Sequence, residues 1–208
     1  MKIKNFIFDL GNVILNIDIK LCEIAFSQYG LKNFSVLYSL AAQTEIFDRL
    51  ETGMISAEEF YNEFREITKT DLSDKIIKDC WNTLIVDFPP ERIELLQKLK
   101  NKFRTFVLSN TNAIHYDYYT GMLQTQFRID GLEALTEKAY FSHKVGMKKP
   151  YPDIYKFVID DAGINPAETL FIDDNYENIY AAEMLGIETI WLKDNNLTEL
   201  EIWENYLK

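Results

Sequence analysis

The stretch at residues 3–13 reads Ile-Lys-Asn-Phe-Ile-Phe-Asp-Leu-Gly-Asn-Val, an apolar run that stops on one carboxylate, Asp9. Because its second half is apolar on both faces, we expect a strand in the middle of a parallel sheet. Three later segments are built in a similar way, and they read Phe106-Val107-Leu108-Ser109-Asn110, Gly146-Met147-Lys148-Lys149-Pro150 and Leu170-Phe171-Ile172-Asp173-Asp174. Together the four segments supply an acid, a hydroxyl, a cation and an acid pair, which can form one polar site at one end of a sheet.

The remaining pattern predicts an α/β fold. From about residue 89 onward, helical patterns alternate with strands near 104–108, 138–141, 169–172 and 188–192. Such alternation implies right-handed crossovers and a doubly wound, Rossmann-like parallel sheet. Residues from about 19 to 86 carry only helical periodicity, with no convincing strand. We therefore predict a core of residues 1–17 and 87–208, with an α-helical cap domain of residues 18–86 inserted after the first strand.

Local signals predict several helix ends. Ser56 and Glu59 have the spacing of a capping box. Asp18 either contacts substrate or serves as a hinge or N-cap for a helix at 19–30. A helix from Pro90 to about residue 102 follows the cap, and Gly186 is expected as the C-cap of the helix before the last strand.

Composition narrows the class of protein. The 208 residues, 47% of them hydrophobic, allow one α/β domain with a small appended one. The net charge of −11 argues against nucleic acid and anionic membranes as partners. Without a signal-peptide pattern or a membrane-spanning run, we expect a cytoplasmic protein, either a monomer or a homodimer. Cys22 and Cys80 have no metal-site spacing and are expected to be buried free thiols.

The acids predict a metal site. A tight turn at Gly11 leaves a backbone carbonyl open, so Asp9 and Gly11 offer half of an oxygen-ligand site for Mg²⁺. Asp173 and Asp174 offer the other half, because adjacent carboxylates at the end of an apolar strand repel and need a cation or donors. We expect Asp174 to be the ligand, with Asp173 orienting or assisting it.

Ser109, Asn110 and a lysine predict a phosphate site beside the metal. Hydroxyl and backbone N–H groups at 109 and 110 can donate to phosphoryl oxygens. Lys149 can neutralise both Asp9 and a bound phosphate, and Lys148 is the competing candidate. Such a set suits phosphoryl transfer, in which a carboxylate attacks phosphorus to give an aspartyl-phosphate that water hydrolyses.

The four segments resemble, in order, the four motifs of the haloacid dehalogenase-like hydrolase superfamily, and the helical block resembles its type 1 cap. Residues 8–14 and the turn at 51–56 are most similar to a group of bacterial α-D-glucose-1-phosphate phosphatases. The resemblance implies that Asp9 is the nucleophile and a metal ligand, that Ser109 binds the phosphoryl group, and that Asp174 holds Mg²⁺ with Asp173 beside it. Lys149 would steady these charges.

By the same resemblance, the turn at 51–55 reaches into the site and helps select the substrate. The residues expected to contact phosphate or substrate are therefore Asn12, Ser109, Asn110 and Glu51. The expected activity is Mg²⁺-dependent hydrolysis of a small phosphate ester, a sugar phosphate such as glucose 1-phosphate.

One position departs from the family pattern. Most phosphatases of the superfamily carry a second aspartate, a general acid and base, two residues after the nucleophile, where this chain has Gly11. Because losing a positioned acid costs roughly 10²–10⁴-fold in rate, a leaving group that needs less help, such as an anomeric oxygen, fits this site. His115 is a candidate substitute acid; the alternative is a partly exposed helix histidine.

Two other functions remain open. A haloacid dehalogenase uses the same nucleophile on carbon and needs no Mg²⁺, so the retained Asp173 and Asp174 argue against it. A catalytically silent phosphate-binding module is favoured by Gly11, but simple binding does not require a nucleophile such as Asp9.

Overall fold

The fold is described from a computed structural model that covers residues 3–31, 45–194 and 196–207. Its strands are β1 (Asn5–Phe8), β2 (Asn16–Ile17), β3 (Ile85–Asp87), β4 (Arg104–Ser109), β5 (Lys138–Phe141), β6 (Thr169–Asp173) and β7 (Glu188–Trp191). Its helices are α1 (Ile19–Ser27), α2 (Ile46–Glu51), α3 (Ala57–Thr68), α4 (Asp74–Asn82), α5 (Pro90–Lys100), α6 (Ala113–Phe127), α7 (Ser142–Val145), α8 (Pro152–Ala162), α9 (Tyr176–Glu183) and α10 (Trp203–Tyr206). Short 3-10 turns lie at Leu132–Ala134, Pro166–Glu168 and Leu197–Glu199.

A five-stranded parallel sheet in the order β5-β4-β1-β6-β7 forms the centre of the molecule. The strand β1 is its middle strand, and Phe8 is in register with Val107 on one side and Ile172 on the other. Parallel strands paired in this way bring their carboxyl ends to one edge of the sheet, where ligands bind in such folds. The doubly wound α/β fold expected from the sequence is confirmed.

Both faces of the sheet are covered. Phe6 and Phe8 belong to one buried cluster, whereas Ile7, between them, belongs to a second cluster on the opposite face. This alternation follows from the period of two along a strand. It explains why the first strand is apolar without interruption, as expected for the middle of a parallel sheet.

Among the described residues, a short strand pair was not expected from the sequence. We expected no strand between 19 and 86, but β3 begins at Ile85 and pairs antiparallel with β2 through Asn16 and Asp87. Strands of two and three residues are too short to show an alternating pattern, and these two strands lie some 70 residues apart in the sequence. The pair joins the sheet to the helical insert, a name we use for the described helices α1 to α4.

Helix ends follow the expected chemistry with small shifts. Ser56 and Glu59 form the predicted capping box, and Asp18 is the N-cap of α1 through a hydrogen bond from Lys20 N. The helices α1 and α5 end two or three residues earlier than expected. The helix α9 ends at Glu183, so Gly186, at a φ of +81°, lies beyond its cap.

Cys22 and Cys80 are buried and unpaired, which confirms the expected free thiols. Among the described residues, no helix is long and apolar enough to cross a membrane.

Three contacts tie the helical insert to the sheet domain. Lys148 donates to Asp48 at 2.6 Å and to Glu51 at 3.0 Å, both on α2. Gly53, at a φ of +68°, lies so near the His143 carbonyl that an added Cβ would stand 2.3 Å from its oxygen. His115 on α6 forms the third contact, with Trp81 on α4.

The His115 contact requires a neutral ring. Its Nε2 lies 3.3 Å from the Trp81 carbonyl oxygen, and its Nδ1 lies 3.1 Å from the Asn112 amide nitrogen. A neutral ring that donates from Nε2 and accepts at Nδ1 satisfies both partners. Burial lowers the pKa of His115 to about 4, with the Trp81 carbonyl acting in the opposite direction. At neutral pH this ring cannot supply the proton expected of a substitute acid.

Replacing Gly53 with alanine should lower the stability of the protein by disturbing the contact between the helical insert and the sheet domain. A left-handed non-glycine residue costs about 1–2 kcal/mol, and at Gly53 the added Cβ would also force the backbone away from His143. Gly163 is the matched control, since it also has a positive φ but has nothing within 4 Å of the added Cβ. Urea unfolding should give a larger loss of stability for Gly53→Ala than for Gly163→Ala. Equal losses would mean that the contact with His143 is unimportant.

The neutral His115 ring should make stability fall in mild acid. In the unfolded chain histidine binds a proton near pH 6.5, whereas folded His115 does so only near pH 4. The contribution of the neutral His115 ring to the free energy of unfolding is therefore complete above pH 6.5. It is lost as the pH falls toward 4, by up to about 3 kcal/mol. The measurement is the unfolding free energy of wild type minus that of His115→Gln across this pH range. The titrations of all other groups cancel in this difference. A difference independent of pH would contradict the neutral ring.

Candidate active site

A buried lysine joins two carboxylates at the carboxyl edge of the sheet. Lys149 is 2% exposed, and its Nζ donates to Asp9 Oδ1 and to Asp173 Oδ2, each at 2.6 Å. Asp9 directly follows β1 and Asp173 ends β6, so the parallel register of these neighbouring strands brings them together. The lysine arrives from the loop that follows α7.

The loop that carries Lys149 is fixed by Asn110. The Asn110 side chain accepts from the Lys149 backbone N–H at 2.9 Å and donates to the Lys149 carbonyl at 2.8 Å. This amide is therefore occupied in positioning the lysine, which leaves the Asn110 backbone N–H for the expected contact with phosphate. Ser109 is buried at the end of β4, with its hydroxyl 3.4 Å from the Asn110 carbonyl oxygen.

Asp173 has a saturated set of donors. Besides Lys149, its carboxylate accepts from the Asn175 backbone N–H at 2.8 Å and from the Asn178 side chain at 3.0 Å. A carboxylate held by so many donors is fixed in place, which agrees with the orienting part assigned to Asp173.

Asp174 is more open than its neighbour. Its Oδ2 accepts from the Asn12 side chain at 3.0 Å, and its backbone carbonyl accepts from the Trp191 indole at 2.9 Å. Asn12 itself adopts a left-handed conformation with a φ of 56°. The Asn12 side chain is therefore hydrogen-bonded to Asp174, and it can contact phosphate only by giving up or sharing that hydrogen bond.

The charges of the cluster depend on one another. Burial is the main influence on Asp9 and raises its pKa to about 7; Lys149 acts against this shift, whereas Asp173 and Asp174 add to it. Burial alone would lower the pKa of Lys149, but its interactions with Asp173 and Asp9 raise it above its ordinary value. Burial also raises the pKa of Asp174. The lysine stays charged, and the three acids carry more negative charge than one cation balances.

These acids fit a divalent cation. One carboxylate oxygen from each of Asp9, Asp173 and Asp174 lies within 4.8 Å of the others. An all-oxygen set suits Mg²⁺ rather than zinc or copper, and a bound cation would favour the ionised form of Asp9. Gly11, the fourth predicted ligand, lies two residues from Asp9 in the same loop.

Two residues expected near the site are engaged elsewhere. Lys148, the competing lysine, pairs with the helical insert rather than with the acid cluster. Glu51, expected to contact substrate, is one of its partners. Of the two lysines, Lys149 is the one that contacts Asp9 and Asp173.

Sequence reasoning missed two supporting residues. Asn178 is buried on the first turn of α9 and donates to both oxygens of Asp173. Its signal was a polar residue on the inward face of a helix that starts just after the acid pair. Trp191, at the end of β7, left no comparable signal, since its contact with Asp174 exists only through strand pairing.

Comparisons with known proteins identify related sequences and structures. The model of the haloacid dehalogenase-like hydrolase family matches residues 3–186. D-ribitol-5-phosphate phosphatase from Bacteroides thetaiotaomicron is 32% identical over 189 residues, covering 90% of this chain and 90% of that protein. Glyceraldehyde 3-phosphate phosphatase from Pyrococcus furiosus is 27% identical over 121 residues, or 58% of this chain and 48% of that protein.

A solved structure is similar over the full length. The crystal structure of a haloacid dehalogenase family enzyme from Bacteroides thetaiotaomicron gives a TM-score of 0.87 at 36% identity, covering 100% of both chains. The same enzyme in complex with magnesium and inorganic phosphate gives a TM-score of 0.83 at 39% identity, covering 92% of this chain and 94% of that chain. The chain therefore belongs to the haloacid dehalogenase-like hydrolase family.

Proposed function

We propose that this protein is a Mg²⁺-dependent phosphatase that hydrolyses a small phosphate ester through an aspartyl-phosphate on Asp9. The observation that carries the proposal is the buried contact of Lys149 with both Asp9 and Asp173, beside the more open Asp174. Relatives support it, since two are phosphatases of small phosphate esters and the solved enzyme was crystallised with magnesium and inorganic phosphate.

Each residue has a distinct part in the proposed reaction. Asp9 attacks phosphorus while the bond from phosphorus to the ester oxygen breaks, and water later hydrolyses the aspartyl-phosphate. Ser109 and the Asn110 backbone N–H donate to phosphoryl oxygens, and Lys149 offsets their charge. Asp9, Asp174 and the Gly11 carbonyl would hold Mg²⁺, with Asp173 in support, and the ion supplies further charge neutralisation.

The substrate is a small sugar or polyol phosphate. Glucose 1-phosphate is the candidate from the sequence resemblance, and D-ribitol 5-phosphate is the candidate from the curated relative. In this proposal the helical insert is a cap that closes over the carboxyl edge of the sheet. The contacts of Gly53 with His143 and of Lys148 with α2 describe its docked position.

Neither alternative function fits the cluster as well. Dehalogenation on carbon needs no metal, yet Asp174 stays accessible beside Asp9 and Asp173. A silent binding module has no use for a carboxylate paired with a buried lysine at the nucleophile position. Hydrolysis of a phosphate ester distinguishes the enzyme from the silent binding module, because the module would release no phosphate.

Enzyme kinetics can test which of the two adjacent lysines serves the reaction. Phosphate release from a panel of sugar and polyol phosphates should require Mg²⁺ and vanish in Asp9→Asn. Lys149→Met should lower kcat by roughly 10²–10³-fold, the usual cost of losing one preorganised stabilising group. The matched control is Lys148→Met, which breaks only the contacts with Asp48 and Glu51 and should keep kcat within a few-fold. Equal losses in both lysine variants, with both folded by circular dichroism, would refute the assigned roles.

Restoring an aspartate at Gly11 tests whether the missing acid limits the reaction. An added Cβ there would meet only the end of the Ile17 side chain, at 3.1 Å, and Ile17 is 38% exposed and free to shift. We therefore expect Gly11→Asp to fold. If the missing acid limits the reaction, wild type should hydrolyse aryl and glycosyl phosphates faster than simple alkyl phosphates. Gly11→Asp should reduce the ratio of these two rates at least tenfold. This is less than the roughly 10²–10⁴-fold that a positioned acid contributes. A ratio unchanged by the substitution would mean that leaving-group protonation is not limiting.

A further inference from the structure

The strand pairing between β6 and β7 ends one residue before Asp174. Asp173 is the last residue of β6 in register with β7, and its partner there is Trp191. The Leu192 backbone N–H then donates to the Asp173 carbonyl at 2.9 Å. Asp174 follows the end of β6, so the regular pairing of the sheet does not include it.

The Trp191 side chain extends this pairing by one residue. Its indole N–H donates to the Asp174 backbone carbonyl at 2.9 Å. The carbonyls of Asp173 and Asp174 are therefore both bound by the end of β7, the first by a backbone N–H and the second by a side chain. The indole can serve in this way because its N–H is a donor on a rigid ring. The backbone of Asp174 is thus tied to the sheet although it lies beyond the strand.

The Asp174 carboxylate is restrained as well. Its Oδ2 accepts from the Asn12 side chain at 3.0 Å. One of its oxygens also lies within 4.8 Å of carboxylate oxygens of Asp9 and Asp173. A hydrogen bond at the backbone carbonyl and another at the carboxylate hold both ends of this residue. Together they fix where its carboxylate stands relative to the other two acids.

Trp191 contributes less to the core than its size would allow. The residue is 42% exposed, and it follows that much of its ring remains in contact with water. Two of its neighbours are also exposed: the Tyr176 ring lies 5.0 Å away between centroids, and the Lys193 Nζ lies 4.2 Å from the Trp191 ring centroid. These contacts steady the ring at the surface. The specific contribution of an indole at this position is therefore its N–H, which is used on the Asp174 carbonyl.

We propose that Trp191 is a positioning residue for the metal, which holds the Asp174 backbone so that its carboxylate stands in the geometry that Mg²⁺ requires. The inference rests on the proposed function, in which Asp174 is a Mg²⁺ ligand. Mg²⁺ demands a near-ideal octahedral set of oxygens, whereas the larger Ca²⁺ accepts more ligands in a flexible arrangement. Trp191 therefore strengthens the binding of Mg²⁺ and also favours Mg²⁺ over Ca²⁺.

The test measures metal binding directly, by isothermal titration calorimetry with Mg²⁺ or Ca²⁺ and without substrate. Trp191→Phe keeps an aromatic ring beside Tyr176 but removes the N–H. It should raise the dissociation constant for Mg²⁺ about tenfold, at the lower end of the roughly 10–100-fold cost of losing a group that orients a metal ligand. The dissociation constant for Ca²⁺ should rise much less, because Ca²⁺ tolerates a displaced ligand.

The dependence of the rate on Mg²⁺ gives a second readout. In Trp191→Phe the Mg²⁺ concentration at half-maximal rate should rise about tenfold, in line with the weaker binding. The value of kcat should recover to within a few-fold of wild type once Mg²⁺ is saturating, since the residues that act on phosphate are unchanged. A kcat that stays low at saturating Mg²⁺ would overturn the positioning role.

Trp203→Phe is the matched control, because it removes the same kind of hydrogen bond elsewhere. The Trp203 indole N–H donates to the Leu197 backbone carbonyl at 2.6 Å, within the buried cluster that contains Phe6 and Phe8. Losing this buried bond should lower the melting temperature and leave the affinity for Mg²⁺ unchanged. Trp191→Phe should do the reverse, with a lower affinity for Mg²⁺ and a much smaller change in the melting temperature of the metal-free protein.

The outcomes separate the role of Trp191 from the proposed function. Equal losses of Mg²⁺ affinity in the two tryptophan variants, or equal losses for Mg²⁺ and Ca²⁺ in Trp191→Phe, would overturn the role of Trp191. If wild type binds Mg²⁺ but hydrolyses no phosphate ester, the phosphatase function fails, and the calorimetric comparison still decides the role of Trp191. If wild type binds no Mg²⁺, both fail.

Discussion

The buried ion triad of Lys149 with Asp9 and Asp173 is the constraint around which the site is organised. Each contact is 2.6 Å long, and the lysine and Asp173 are almost entirely shielded from water. Removing a charge from water is costly unless partners compensate it closely. Hydrogen bonds from the surrounding structure offset this cost. The Asn110 side chain binds the backbone N–H and carbonyl of Lys149, and the Asn178 side chain and the Asn175 N–H donate to Asp173.

The same arrangement leaves an imbalance that suits catalysis. Three carboxylates face one lysine, so the cluster has unused capacity for a divalent cation, and Asp174 is its accessible member. Burial raises the pKa of Asp9 to about 7, and Lys149 acts against this shift, whereas Asp173 and Asp174 add to it. Binding Mg²⁺ would return Asp9 to the ionised form that a nucleophile requires. Metal binding and readiness for attack are thus linked through one electrostatic balance.

The helical insert meets the sheet domain through contacts of different chemistry. Gly53 has no room for a side chain, the largely buried Lys148 pairs with two acids, and the neutral His115 ring stacks on the Trp81 indole. Each contact holds a different part of the boundary. Lys148 and Lys149 are adjacent in sequence, yet Lys148 binds the helical insert and Lys149 binds Asp9. The position of the helical insert and the position of Lys149 therefore depend on the same short loop.

The sequence by itself determined the parallel sheet, the order of the polar clusters along it and the family resemblance. These depend on local properties: apolar runs end in acids or hydroxyls, and parallel strands bring such ends to one edge. Only the tertiary structure decided which neighbouring side chain serves which purpose. It separated Lys149 from Lys148, used the Asn110 amide to hold a loop, and made His115 a neutral bridge instead of an acid. Those outcomes depend on burial and on partners up to 140 residues apart in sequence, which no local pattern records.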